Sequence, residues 1–291
     1  MKLGQGVFTL PTFNITNTPF SLIGEGVDVT IVKLEDVCLL KHSAESPHLS
    51  SVTIRDLTVL VDKPVTRVFD FIRTDEDRDL GRRDCQGITF DNVKIICERD
   101  GVFNIGISFN NNRNINITNC VIDNKENQMH GIGVHQTGYM GHNLRISHTH
   151  MRFLGSAVSL ISHPEGFHMS DCELVSVGTG VVIDSSHARY GKPHFTIHST
   201  HMNCIVGIRV DSGSQVNFYD NLIYYDEMGI SVELCNSGII HDNHLYDLNG
   251  TNAAINISDC TKMIVHHNSC WNGEIISRDV NHSIIKDNLT F

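Results

Sequence analysis

Apolar and polar residues alternate along most of this chain, in short runs broken by polar turns, and no stretch carries the 3.6-residue period of an amphipathic helix. Within that alternation one unit recurs, with Gly or Ala first and apolar residues second and fourth. Its copies are GISF from Gly106, GIGV from Gly131, AVSL from Ala157, GVVI from Gly180, GIRV from Gly207, GISV from Gly229 and AINI from Ala254, with a degenerate IISR from Ile275. Successive copies start 21 to 27 residues apart. Each is followed by a second alternating run: INITNCVI, LRISHTHM, FHMSDCEL, FTIHSTHM, VNFYDNLI, GIIHDNHL, MIVHHNSC and IIKDNLTF. Earlier second-run copies are VTIRDLTVLV from Val52 and ITFDNVKIIC from Ile88, with VFDFI from Val68 as a first-run equivalent.

Strands at fixed offsets, repeated with polar turns, predict an all-β fold, a single-stranded right-handed parallel β-helix of about ten coils. Each coil satisfies the edges of its neighbours and adds one layer to a continuous apolar core. The prediction is a single β-helix domain over residues 1–291, with 1–50 as the first coils and N-terminal edge and 51–291 as regular coils. Register is marked by Asn221, Asn243, Asn268 and Asn288, which fall at one turn position in consecutive coils, where Cys120, Thr149, Cys172 and Thr200 stand earlier. Stacked Asn side chains there can hydrogen-bond along the axis. The segment RTDEDRDLGRRD from Arg73 to Asp84 is expected to be a solvated loop inserted in one coil.

Composition narrows the class. A hydrophobic fraction of 40% is enough to fill a core along all 291 residues and too high for disorder. No apolar run is long enough for a membrane-spanning helix, so membrane insertion is not expected. Twenty-two Lys and Arg against 33 Asp and Glu leave a formal charge of -11, which argues against a nucleic-acid partner. Nine cysteines without a CxxC pair read as buried free thiols of a chain folded in a reducing cytoplasm.

The opening segment FTLPTFNITNTPFSLIGEGVDVTIVKL, Phe8 to Leu34, resembles the first coils of the pectate lyase-like β-helices common in phage tailspikes and capsule depolymerases. The DD, GHG and RIK strings of polygalacturonases and the WIDH and YGFDPH types of pectate lyases and alginate epimerases do not occur. The resemblance therefore implies a tailspike-like protein that binds and cleaves a bacterial surface polysaccharide as a glycoside hydrolase. It further implies a homotrimer carried on a virion tail, made in the host cytoplasm and acting outside the cell. A non-catalytic attachment or structural β-helix is one alternative. A lyase or epimerase acting on uronic-acid chains is another.

Register converts into columns of side chains about 4.8 Å apart. The outward position after each first run reads Asn110, His135, Ile161, Asp184, Asp211, Glu233, Ser258 and Asp279, with three carboxylates in succession. Like charges on adjacent strands repel, so Asp184, Asp211 and Glu233 are the candidate catalytic groups, with Arg209 placed to offset part of their charge. A solvated edge or a divalent cation on this acidic column are the other readings; no cofactor and no dedicated metal site are expected. Longer loops after His135 and Asp184 would wall a groove, adding His135, Tyr139, His187, Arg189 and Tyr190 to Arg209 as substrate contacts. His198, Tyr219, His241 and His266 form an outward row on the second run, expected to stack as neutral rings, since no carboxylate or Cys joins them at ligand spacing.

Overall fold

Alternation sends every second side chain into one core. On the second run Ile115 and Ile117, Leu144 and Ile146, Phe167 and Met169, and Phe195 and Ile197 are all buried, while the residues between them face outward. The computed structural model describes residues 1–44, 51–73, 87–126, 128–138, 141–162, 164–185 and 193–291. Among these residues there is no helix, and the named strands pair only in parallel, winding into a solenoid of about nine turns.

Three stacks of strands run along the axis. The first begins at Phe13–Thr16 and passes through Pro64–Arg73, Val102–Asn110, Ile132–Thr137 and Ser156–Ile161 to Glu274–Arg278. The second leads from Phe20–Ile23 to Ile284–Lys286, and the third from Gly6–Leu10 to Leu289–Thr290. Some strands turn a corner without breaking. His201–Tyr219 pairs with neighbours in the third stack at its start, the first in its middle and the second at its end. Phe69, Phe71, Phe90 and Phe109 pack ring to ring at 5.0–6.5 Å and fill the wide early coils.

The corner between second and third stacks repeats a two-residue device. Asn92, Asn119, His148, Asp171, Ser199, Asp220, Asp242, His267 and Asp287 hold left-handed backbone there, with φ of 49 to 55°, a region that Asn and Asp enter more cheaply than other side-chain-bearing residues. In the last four of these coils the next residue belongs to the inward Asn ladder. Asn221 Nδ2 donates to Asn243 Oδ1, Asn243 Nδ2 to Asn268 Oδ1 and Asn268 Nδ2 to Asn288 Oδ1, each at 2.9 Å.

The small residue opening the first run also has a steric cause. A Cβ at Gly106, Gly180, Gly207 or Gly229 would stand 2.3–2.8 Å from the backbone carbonyl of the equivalent residue one coil on. One copy needs correction. Ile132 pairs with Ile105 and Val134 with Ile107, so Gly133, not Gly131, stands in this column. Gly131 lies two residues earlier in a turn, at φ 73°. The string Gly-Ile-Gly offers both registers, and only the turn geometry selects one.

Eight cysteines are free, seven of them buried; Cys85, with Tyr139, His187, Arg189, Tyr190 and residues 74–84 of the charged segment, lies outside the described residues.

Candidate functional site

Two outward columns cover the first stack. One contains Lys41, Asp70, Ser108, His135, Ser159, Val182, Arg209 and Ser231. The other contains Ile72, Asn110, Thr137, Ile161 and Asp184, is broken at the next coil, where Ser212 pairs with Asp184, and resumes with Glu233 and Ser258. His135 therefore leaves the carboxylate column where the sequence put it and aligns with Ser159 and Arg209, while Thr137 takes its place. The cause is the two-residue shift at Gly133. The last member also changes: Ser258 pairs with Arg278, which leaves Asp279 one residue beyond.

The carboxylates are brought together, but not as a straight ladder. Ile183 pairs with Val210 whereas Asp184 pairs with Ser212, a β-bulge in which Asp211 is the extra residue. Val210 pairs with Val232 and Gly213 with Cys235, so Asp211 stands opposite Glu233. Arg209 Nε donates to Asp211 Oδ1 at 2.7 Å, with Arg209 56% and Asp211 31% exposed. That hydrogen bond is the largest influence holding the guanidinium charged; the fields of Asp211, Asp184 and Glu233 act in the same sense. The acidic group is thus one cation among three anions. Exposed pairs of this kind contribute only about 0–1 kcal/mol, so their arrangement is no requirement of folding.

Further toward the N-terminus the same face carries groups that the sequence reading passed over. Arg67 Nη1 donates to Asp70 Oδ1 and Oδ2 at 2.8 and 2.9 Å, and Asp70 is buried although it points outward. Aligning VFDFI with the later first runs puts Asp70 in this column, so that half of the pair was within reach. Burial pulls the His135 imidazole below its ordinary value; a backbone hydrogen bond with Ser159 opposes this, and the nearby Arg67 charge adds to it. His135 is a neutral ring near neutral pH, and its Nδ1 has no hydrogen-bond partner. Near the end of the face an open depression of about 460 Å³ is lined by Asn14, Asp36, Lys41 and Lys63. Lys41 lies six coils from Arg209, roughly 29 Å at about 4.8 Å per coil, too far to belong to the acidic group.

The other faces carry rows of rings. His198, Tyr219, His241 and His266 stack at 4.7–5.3 Å with interplanar angles of 4–7°, as the sequence suggested. A second row, Tyr224, Tyr246, Trp271 and Phe291, was not anticipated, although its members share one register position in consecutive coils. Each inner ring has both faces covered by its neighbours, so the row offers edges rather than platforms.

These features define a pectate lyase-like parallel β-helix with a polar outer face on its first stack. No protein family and no curated protein matches the sequence. Among solved structures, the A-module of mannuronan C-5 epimerase AlgE6 from Azotobacter vinelandii superposes with a TM-score of 0.63 at 13% identity, covering 99% of this chain and 91% of that one. The AlgE4 A-module of the same organism gives 0.40 at 15% identity, over 99% and 91%. The catalytic domain of a GH87 α-1,3-glucanase in complex with tetrasaccharides gives 0.43 at 11% identity, and the match spans 61% of its length. At these identities the likeness is one of fold.

Proposed function

We propose that this β-helix binds an extended bacterial surface polysaccharide along the outer face of its first stack and cleaves it as a glycoside hydrolase at Asp184 and Glu233. The observation that carries the reading is the acidic group itself: three carboxylates gathered over three coils around a single Arg209. Asp211 accepts the short hydrogen bond from Arg209, which suits it to tuning charge rather than moving protons. Asp184 and Glu233, two coils apart, stand roughly 9–10 Å apart by strand spacing. That approaches the separation at which one carboxyl protonates the leaving oxygen while the other activates water on the opposite face of the sugar, giving inversion. The coil spacing of about 4.8 Å is also close to the length of one sugar unit, so a chain along the axis can meet equivalent positions repeatedly. The reading includes a tailspike setting, with a homotrimer acting outside the cell.

A second reading has its own support. The neutral His135 beside Arg67 is suited to removing a proton from a uronic-acid unit whose carboxylate the guanidinium attracts, as in a lyase or epimerase. The fold neighbour named a mannuronan C-5 epimerase fits this alternative. Screening bacterial capsular and exopolysaccharides separates the two. New reducing ends without an unsaturated product support the hydrolase, and an ultraviolet-absorbing unsaturated product supports the lyase. Inversion at C-5 without cleavage, read by proton NMR of the polymer, supports the epimerase, and binding with none of these changes would make the protein a non-catalytic attachment module.

A further inference from the structure

Cys235 and Cys260 meet where the first stack passes into the second. Each lies two residues beyond a paired member of the first stack, Glu233 or Ser258, and the same register resumes at Gly238 and Met263, so the two stand opposite each other on adjacent coils. Thr261 N–H donates to the Cys235 carbonyl at 2.9 Å, which closes that register. Cys235 N–H donates to Cys260 Sγ at 3.3 Å, and the Cys235 thiol donates to the same sulfur. Among the described residues this is the one contact between two thiols; Cys38, Cys97, Cys120, Cys172 and Cys204 reach oxygen atoms instead.

We propose that Cys235 and Cys260 are a latent disulfide site, which hydrogen peroxide closes into a bond that staples two successive coils of the helix. Strand spacing puts their Cα atoms about 4.8 Å apart, inside the roughly 4.4–6.8 Å that disulfides span. Cys260 is the attacking sulfur, because the thiolate is the reactive form of cysteine. The hydrogen bond from the Cys235 thiol is the first influence holding Cys260 below the ordinary thiol range, and the same bond, with burial, holds Cys235 above it. Burial alone pushes Cys270 up to about 12; it is also the main cause that raises Cys97, Cys120, Cys172 and Cys204 to about 12 and Cys38 to about 11. The Cys260 thiolate attacks one peroxide oxygen and the O–O bond breaks; the departing hydroxide takes up, as water, the proton that Cys260 gave up, and Cys260 becomes a sulfenic acid. The Cys235 sulfur then attacks the Cys260 sulfur, the S–O bond breaks, and the Cys235 proton leaves with the hydroxyl as a second water. Two thiols thus lose two electrons to one peroxide. Both sulfurs are buried, but Leu234, Asn236 and Asp259 beside them are exposed, so a single turn separates the pair from solvent and oxidation is slow rather than blocked. The bond pins the coil that carries Glu233 to the coil that carries Ser258.

The test treats the folded full chain, freed of reductant, with hydrogen peroxide for hours, then unfolds it and counts thiols by alkylation and intact mass. The nine thiols of the reduced chain should fall to seven, and dithiothreitol should restore nine. Trypsin releases both cysteines, and no other, in one peptide of residues 210–262. That peptide should be two mass units lighter and closed to alkylation, and a second cut before Asp242 or Asp247 should leave its halves joined. Cys270→Ser, buried outside the pair, should still lose two thiols. Cys235→Ser should form no link, and dimedone should trap its sulfenic acid on Cys260. Circular dichroism checks that both variants fold, and the peptide map of the wild type decides the pairing without them. Nine thiols retained in the folded chain under peroxide that oxidises the urea-unfolded chain, or a link from either cysteine to a different one, overturns the proposal.

Discussion

Asn243 accounts for several backbone and side-chain groups at once. It is fully buried; its Nδ2 donates to the Phe218 and His241 carbonyls and to Asn268 Oδ1, and its Oδ1 accepts from the backbone N–H and Nδ2 of Asn221. Replacing it with Ala removes the acceptor for two buried donors, each costing roughly 1–3 kcal/mol. Chemical denaturation of Asn243→Ala should register that loss, and an unchanged midpoint would mean that water takes over the ladder. Histidine burial sets the acid limit. His42, His135 and His168 are all pulled below the ordinary value of 6.5, chiefly by burial. The unfolded chain therefore binds more protons, so stability is full above about pH 6.5 and falls as pH drops through the folded values. Denaturation midpoints at pH 7.5, 6.5 and 5.5 should decline in that order, and His42→Gln should flatten the decline. For the site, Asp184→Asn and Glu233→Gln should each reduce cleavage of a verified substrate by at least roughly 100-fold. Stability should stay within about 0.5 kcal/mol, because both side chains point away from the core. Cleavage at the wild-type rate in both variants would move the chemistry to His135.

Corners matter more than strands in deciding the register. Where the third stack passes into the first, Gly180, Gly207 and Gly229 let one coil's backbone approach the next. At Gly207 an added Cβ would meet the Gly229 carbonyl at 2.3 Å and Ile223 Cγ2 at 2.8 Å. Gly207→Ala should therefore cost roughly 1–3 kcal/mol, in the range of overpacked cores. Gly4→Ala, where the nearest atom is Glu25 Oε1 at 3.9 Å, should be neutral in the same denaturation experiment. The bulge at Asp184 belongs to this scale too. It converts a ladder of like charges into a cluster with Arg209 inside it, which lowers the repulsion that a regular column would carry.

Taken along its length, the solenoid separates its tasks by face. The first stack presents the acidic group and the His135–Arg67 region, the second and third present stacked rings, and the core runs uninterrupted from Leu22 to Cys270. Apolar side chains remain exposed near the end of the second stack, at Ile239, Ile264 and Ile284, which share one register column. Light scattering should give the mass of three chains if the tailspike setting holds and this column lies between protomers. A monomer mass at micromolar concentration would count against it.

The repeat itself was legible in the chain because a coil is short and its constraints are local: small residues where backbones approach, alternation where one face is buried, Asn at the inward turn. The register of Gly106, Ala157, Gly180, Gly207, Gly229 and Ala254 and the rows of Asn and His could be read from spacing alone. What spacing did not reveal were single-residue events. Gly131 and Gly133 are equivalent letters until a turn gives one of them φ 73°, and that choice moved His135 out of the carboxylate column and beside Ser159. The bulge that displaces Asp211 is likewise one residue long. Asp242 reaches His241 and His267 only because a left-handed corner turns it there. Period and composition are averages over many residues, which is why they determine a fold. A site depends on the direction of a few side chains, and that direction was settled by turns and bulges whose cost is small beside the energy of the stack.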